Sequence, residues 1–192
     1  LIPQRSANLD INGLDPFRVE CQVAGVYLFL PYILDSGILD IVSQCNLPES
    51  NDIGKHQASL SMLLLKLIGN ERLSHIKQYD ADSGFGIFAG LNVLPKPSYM
   101  CSYSCRTEAS ALMEFQKSVI ENFLHLHPDL YEGQTINLDF HSIPHFGIES
   151  EMEKVWCGAR GKALKGANTF FAQDGVSNSL MYVNADIKRS ES

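Results

Sequence analysis

The residue with most chemical potential is Asp139. It sits in the run Thr135, Ile136, Asn137, Leu138, Asp139, Phe140, His141, Ser142, Ile143, where apolar and polar residues alternate. Alternation with a period of two places Ile136, Leu138 and Phe140 on one face of a strand, and Asn137, Asp139 and His141 on the other. A carboxylate in mid-strand is costly to bury without a partner. One use for it is to bind a hard divalent cation, with further acids brought in from other elements. The ordinary alternative is a hydrogen bond to a nearby loop, or plain hydration on the polar face of a sheet.

Other side chains near it in sequence are weaker candidates. His141 and His145 with Asp139 form a transition-metal triad on paper, but their spacing matches no metal motif. They read better as ordinary hydrogen-bonding histidines. Asp174, next to Gly175, reads as a turn former. Asp186 and Glu191 lie where a helix could begin, and the expectation there is capping rather than metal ligation. Cys101 and Cys105 share one side of a helix, yet no second ligand pair follows, so small buried thiols are expected rather than zinc. Lys154, Arg160, Lys162 and Lys165, interleaved with Gly158, Gly161 and Gly166, read as a basic loop between two strands. Such a loop either contacts a DNA backbone or is simply solvated.

The elements that must position these residues fall into two textures. Up to about residue 132 the pattern is helical. Asp15 followed by Pro16 is a helix-start signal, and apolar residues recur from there to Leu34. Helices are expected over 38–45 and 58–68, the latter ending at Gly69. Residues 84–106 allow a helix-turn-helix, with 92–97 as the turn and 98–106 as the second helix. Arg106, Ser102, Ser104 and Tyr103 would then reach phosphates or bases; the alternative is a packing helix in an all-α domain. Thr107 and Glu108 open a long amphipathic helix that Pro128 ends. From Gly133 the pattern is strand-like, with strands expected over 135–143, 168–173 and 180–183, the last two as a hairpin. The expected fold class is α+β, as a helical domain over 1–132 and the start of an α/β domain over 133–192.

Bulk properties bound the function. The chain has 192 residues, 45% hydrophobic and 19% charged, with a net charge of −7. That composition supports a packed core rather than a disordered tail. The acidic balance weighs against DNA binding, which draws on basic surface, although a local basic stretch can still serve. Five cysteines at irregular spacing suit reduced thiols and a cytoplasmic location. No signal peptide is visible, and the apolar run 23–34 is too short to span a bilayer. Leu1 and the polar run at Ser192 both read as cuts through a longer protein.

The run LDFHSIPHFG (138–147) resembles the first catalytic strand of insertion-sequence DDE transposases. FFAQD (170–174) and YVNAD (182–186) continue the likeness downstream, and GLNVLPK (90–96) and YSCR (103–106) upstream. The resemblance implies a ribonuclease-H-like catalytic domain in which two Asp and one Glu hold two magnesium ions. Asp139 matches the first Asp, as a metal ligand and not a base. The second Asp and the Glu have no counterpart in the chain, so the resemblance implies an inactive fragment of an active protein. The implied chemistry is phosphoryl transfer on DNA, in which element ends are cut and joined to a target. Implied partners are transposon-end and target DNA, in a homo-oligomer without a membrane. Arg106, Arg160, Lys162 and Lys165 are the candidate DNA contacts. Two alternatives stay open: a metal-dependent nuclease on the same fold, and a decayed transposase remnant without activity.

Overall fold

The computed structural model describes residues 19–146, 152–185 and 187–188. The fold class is α+β. Helices come first, and an antiparallel sheet of four strands follows. The chain divides into two compact units, 1–115 and 116–192. The division falls inside a helix, upstream of the change of texture at Gly133.

In the first unit, a 3-10 turn over Ala24–Phe29 leads into α1 (Leu30–Asp35) and α2 (Ile38–Gln44). The start of the helix expected from Asp15 and Pro16 lies outside the described residues. The remainder is not one continuous helix. Pro31 stands in the first turn of α1, where its missing N–H breaks no helical bond; further along a helix it would break one. α3 (Lys55–Leu67) buries Ala58, Ser61, Leu64 and Leu65. It stops at Gly69, whose φ of 79° turns the chain so that Asn70 N–H reaches back to Leu65 O at 2.8 Å. The Lys55 ammonium caps the preceding helix, donating to the Ser43 and Cys45 carbonyls.

A 3-10 segment (Leu73–Tyr79), α4 (Ser83–Phe88) and α5 (Pro97–Arg106) complete the core. Leu64, Leu65, Ile76, Phe85, Leu91 and Met100 are fully buried in it. Burying an aliphatic or aromatic side chain of this size contributes about 1.5–3 kcal/mol. Asp82 fastens the entry of the chain to α4. Its carboxylate accepts from Phe85 N–H at 2.9 Å and from Gln22 N–H at 2.8 Å. α6 (Ala109–Leu126) follows, and then a 3-10 turn over Pro128–Tyr131.

The second unit is built on β1 (Ile136–Pro144), β2 (Lys154–Cys157), β3 (Lys162–Asp174) and β4 (Leu180–Ala185). β3 is the centre of the sheet. β1 pairs with it from Ile136↔Asp174 to Pro144↔Gly166. β2 pairs with Lys162–Lys165, and β4 pairs with the stretch from Thr169 to Gln173, each antiparallel.

This corrects the expected basic loop over 154–165. Val155 and Cys157 are buried while Lys154 and Trp156 are exposed, which is a short strand in its own right. The turn that follows runs through Gly158–Arg160 and Gly161, so β3 starts at Lys162 rather than at 168. At Gly166 a side chain would run into the Ile143 carbonyl and the Val155 methyl, so only glycine lets β1 and β2 close on β3 there.

No single described helix is long and apolar enough to cross a membrane. One bent pair, Ala24–Asp35 with Ile38–Gln44 at 64°, passes by length and composition only.

Candidate functional site

Asp139 lies in the middle of β1 and pairs with Phe171 of β3. Neighbouring strand residues point to opposite faces, so its carboxylate shares a face with Asn137 and His141 and turns away from Phe140. The Phe140 face carries a row of rings across three strands. Phe140 and Phe170 stand 5.0 Å apart, and Phe170 and Tyr182 stand 6.2 Å apart. Ile136, Leu138 and Phe140 are all more than half exposed. Asp139 is exposed as well, and none of the described residues gives it a hydrogen bond or ion pair. It therefore has no structural task within the sheet.

The other candidates do not gather around it. His141 faces the same way and pairs with Thr169, whose buried hydroxyl has no hydrogen-bond partner among the described residues. His145 lies beyond the end of β1. Its backbone N–H donates to Lys165 O at 2.7 Å, and its buried Nε2 is likewise without a partner among the described residues. Among the described residues no group of three or more His, Cys, Asp or Glu can hold a metal ion. Asp186 and Glu191 lie outside the described residues.

Asp174 is a turn former, as its place beside Gly175 suggests. It ends β3 and is almost fully buried. Its carboxylate accepts from Val176 and Ser177 N–H, both at 2.9 Å, and from Gly133 N–H at 2.8 Å. Hydrogen bonds from Ser177 and then Val176 hold its pKa below the usual carboxylate value, and the bond from Gly133 adds to them. Each of these bonds favours the charged form. They tie the β3–β4 turn to the residue that leads into β1.

Three of the four basic candidates lie on the β2–β3 hairpin. Arg160 ends the turn after β2 and lays its guanidinium over the Phe146 ring, 4.9 Å from the centroid. Lys162 opens β3, and Lys165 stands directly across from Lys154. Lys165 is six residues along β3 from the partner of Asp139, or about 20 Å at the rise of a strand. The basic hairpin and the carboxylate therefore occupy different ends of the sheet.

Arg106 belongs to the other unit. It ends α5, exposed, and stacks over Tyr99 at 4.6 Å and Tyr103 at 5.5 Å. Burial pushes the Tyr103 hydroxyl up to about 12, Tyr99 pushes the same way, and Arg106 works against both. The connection from α4 to α5 covers 89–96. That is longer than the three- or four-residue turn of a helix-turn-helix, so α5 is better described as a packing helix. It buries Met100 and Tyr103. Cys101 and Cys105 fall on its outer side and are exposed, not buried as expected. All five cysteines are free thiols.

One contact has no counterpart among the residues that the sequence singles out. Gln116 of α6 bonds through its side-chain amide to both backbone groups of Val183 in β4. The two residues are 67 positions apart, and no local pattern marks them.

No protein-family model, curated protein or solved structure matches this chain.

Proposed function

We propose that this chain carries the helical front domain and the opening catalytic strands of an insertion-sequence DDE transposase. On this reading Asp139 is the first metal-binding acid. The observation that carries it is the setting of Asp139: mid-strand in an antiparallel sheet, exposed, and used by no contact that stabilises the sheet. A carboxylate held on a rigid strand yet left unengaged is suited to a cation. The likeness of 138–147, 170–174 and 182–186 to that family in chain order supports the same reading. So does the sheet, which joins the strands bearing all three segments.

The described residues do not make up a two-ion site. Two magnesium ions about 4 Å apart need several carboxylate oxygens, normally with one shared acid. Asp139 is one such ligand, while Asp174 is committed to its turn. The reading therefore assigns the other acids to parts of the protein outside the described residues. When bound, the ions would supply a nucleophilic oxygen and stabilise the leaving one.

The test is a DNA assay that scores cleavage and strand joining separately, with residues 1–192 alone and with the longer protein this reading implies. The expected result is joining by the longer protein and no reaction by residues 1–192, with magnesium or manganese. Cleavage without joining would make the protein a nuclease instead. Cleavage by residues 1–192 alone would overturn the incomplete site.

A further inference from the structure

The hairpin of β2 and β3 turns one face to solvent. Residues paired across two strands share a face, so Lys154 with Lys165 and Trp156 with Ala163 lie together, all four exposed. Val155 and Cys157 alternate to the opposite face and are buried, so the packing of the hairpin lies there. Trp156 is the only tryptophan of the chain and is 64% exposed. Ala163, opposite it, is too small to cover the indole. The tip of the hairpin is open as well: a side chain built at Gly158 or Gly161 would meet nothing within 4 Å.

The charge of this element runs against that of the protein. The chain carries a net charge of −7, yet residues 154–165 hold four basic residues and no acidic one. Lys154 and Lys165 face each other directly, and like charges in that position repel. A phosphate shared between them turns the repulsion into attraction. Stacking on the Phe146 ring restricts the Arg160 guanidinium, so less freedom is lost when it meets an anion.

We propose that this hairpin binds an unpaired stretch of DNA strand. Trp156 stacks on a base, Lys154 and Lys165 hold the phosphate on one side of it, and Arg160 at the tip holds the phosphate on the other. An indole between cationic groups matches the alternation of base and phosphate along a single strand. In a duplex the ring faces are stacked on one another and out of reach. A free phosphate would leave the indole unused. A lipid surface takes up a broad apolar face, and here the solvent face carries one large apolar side chain. The inference rests on the transposase reading only for the choice of DNA over RNA. Asp139 and metal take no part in it, since the partner of Asp139 lies about 20 Å along β3 from Lys165.

The test is a fluorescence titration of residues 1–192 without divalent metal. With one tryptophan in the chain, the emission reports Trp156 alone. A deoxythymidylate strand of about ten nucleotides, within the site sizes of single-strand binders, should quench it and bind more than about tenfold tighter than a duplex of the same length. Trp156→Ala should weaken binding of a labelled strand about five- to 150-fold, and Trp156→Phe should recover most of the loss. Lys154→Ala and Arg160→Ala should each lower the slope of log affinity against log salt by about 0.7. Circular dichroism melts that match the unaltered chain separate lost binding from lost folding. No quenching by the single strand, equal affinity for the duplex, full affinity in Trp156→Ala, preference for an oligouridylate, or quenching by anionic lipid vesicles in place of the strand would each overturn the proposal. None of these outcomes touches the assignment of Asp139, which catalysis by the longer protein tests separately.

Discussion

Gln116 closes the outer edge of β4 by imitating a strand: its side-chain amide donates to Val183 O at 2.8 Å and its carbonyl accepts from Val183 N–H. A side chain from α6 thus satisfies backbone groups that the last strand leaves unpaired. Gln116→Ala strips both partners at once. The expected cost is about 1–3 kcal/mol, the penalty for unmade hydrogen bonds, reduced where water can enter. Urea unfolding of the second unit measures the loss. Faster amide exchange at Val183 locates it, and unchanged exchange there would show that another group guards this edge.

Asp174 makes the second unit acid-sensitive. Its folded pKa lies below the unfolded value because the Ser177 and Val176 amides favour the charged form. A depressed carboxylate adds stability that is present above the unfolded pKa of about 3.9 and is lost as pH falls through the folded value. The unit should therefore weaken progressively below about pH 4. Asp174→Asn should weaken it already at pH 7 and flatten the acid dependence. The measurement is a melting-temperature series from pH 7 to pH 2, and parallel curves for the two proteins would contradict this role for the carboxylate.

Tyr103 gives the first unit an alkaline limit. Its folded pKa is pushed up to about 12 by burial, against an ordinary value of 10. The neutral hydroxyl is the favoured form inside. The stability it contributes is complete below about pH 10 and is lost as pH rises toward the folded value. The hydroxyl has no hydrogen-bond partner among the described residues. Tyr103→Phe should therefore be neutral or stabilising by up to about 1 kcal/mol at pH 7, and should remove the weakening above pH 10. Ultraviolet titration of tyrosinate with parallel melts checks both parts.

Legibility from sequence followed the range of the interactions. The alternation around Asp139 was readable because one strand face differs in polarity from the other, and β1 follows it closely. The Asp174 turn was readable because an Asx turn is local. The hairpin of β2 and β3 was not. Gly158, Gly161 and Gly166 dominate that stretch, and the strand signal in Val155, Trp156 and Cys157 is only three residues long. Alternating polarity around those three was the available sign. The exposed sides of Cys101 and Cys105 follow once Met100 and Tyr103 are taken as the buried stripe of α5, since each cysteine is one or two positions off it. The Gln116–Val183 contact had no local signature, because it depends on how α6 meets a strand far along the chain.

As a metal ligand, Asp139 should play no part in stabilising the sheet. Asp139→Asn keeps the shape of the side chain and removes its charge. Because the residue is exposed, the change should alter the stability of residues 1–192 by no more than about 0.5 kcal/mol. The decisive measurement is magnesium-dependent DNA cleavage and strand joining by the longer protein bearing this one change, with DNA binding followed in parallel. Both reactions should fall to background while binding stays largely intact. Undiminished joining by the Asp139→Asn protein would contradict the assignment, because Asp139 would then not be the first catalytic acid.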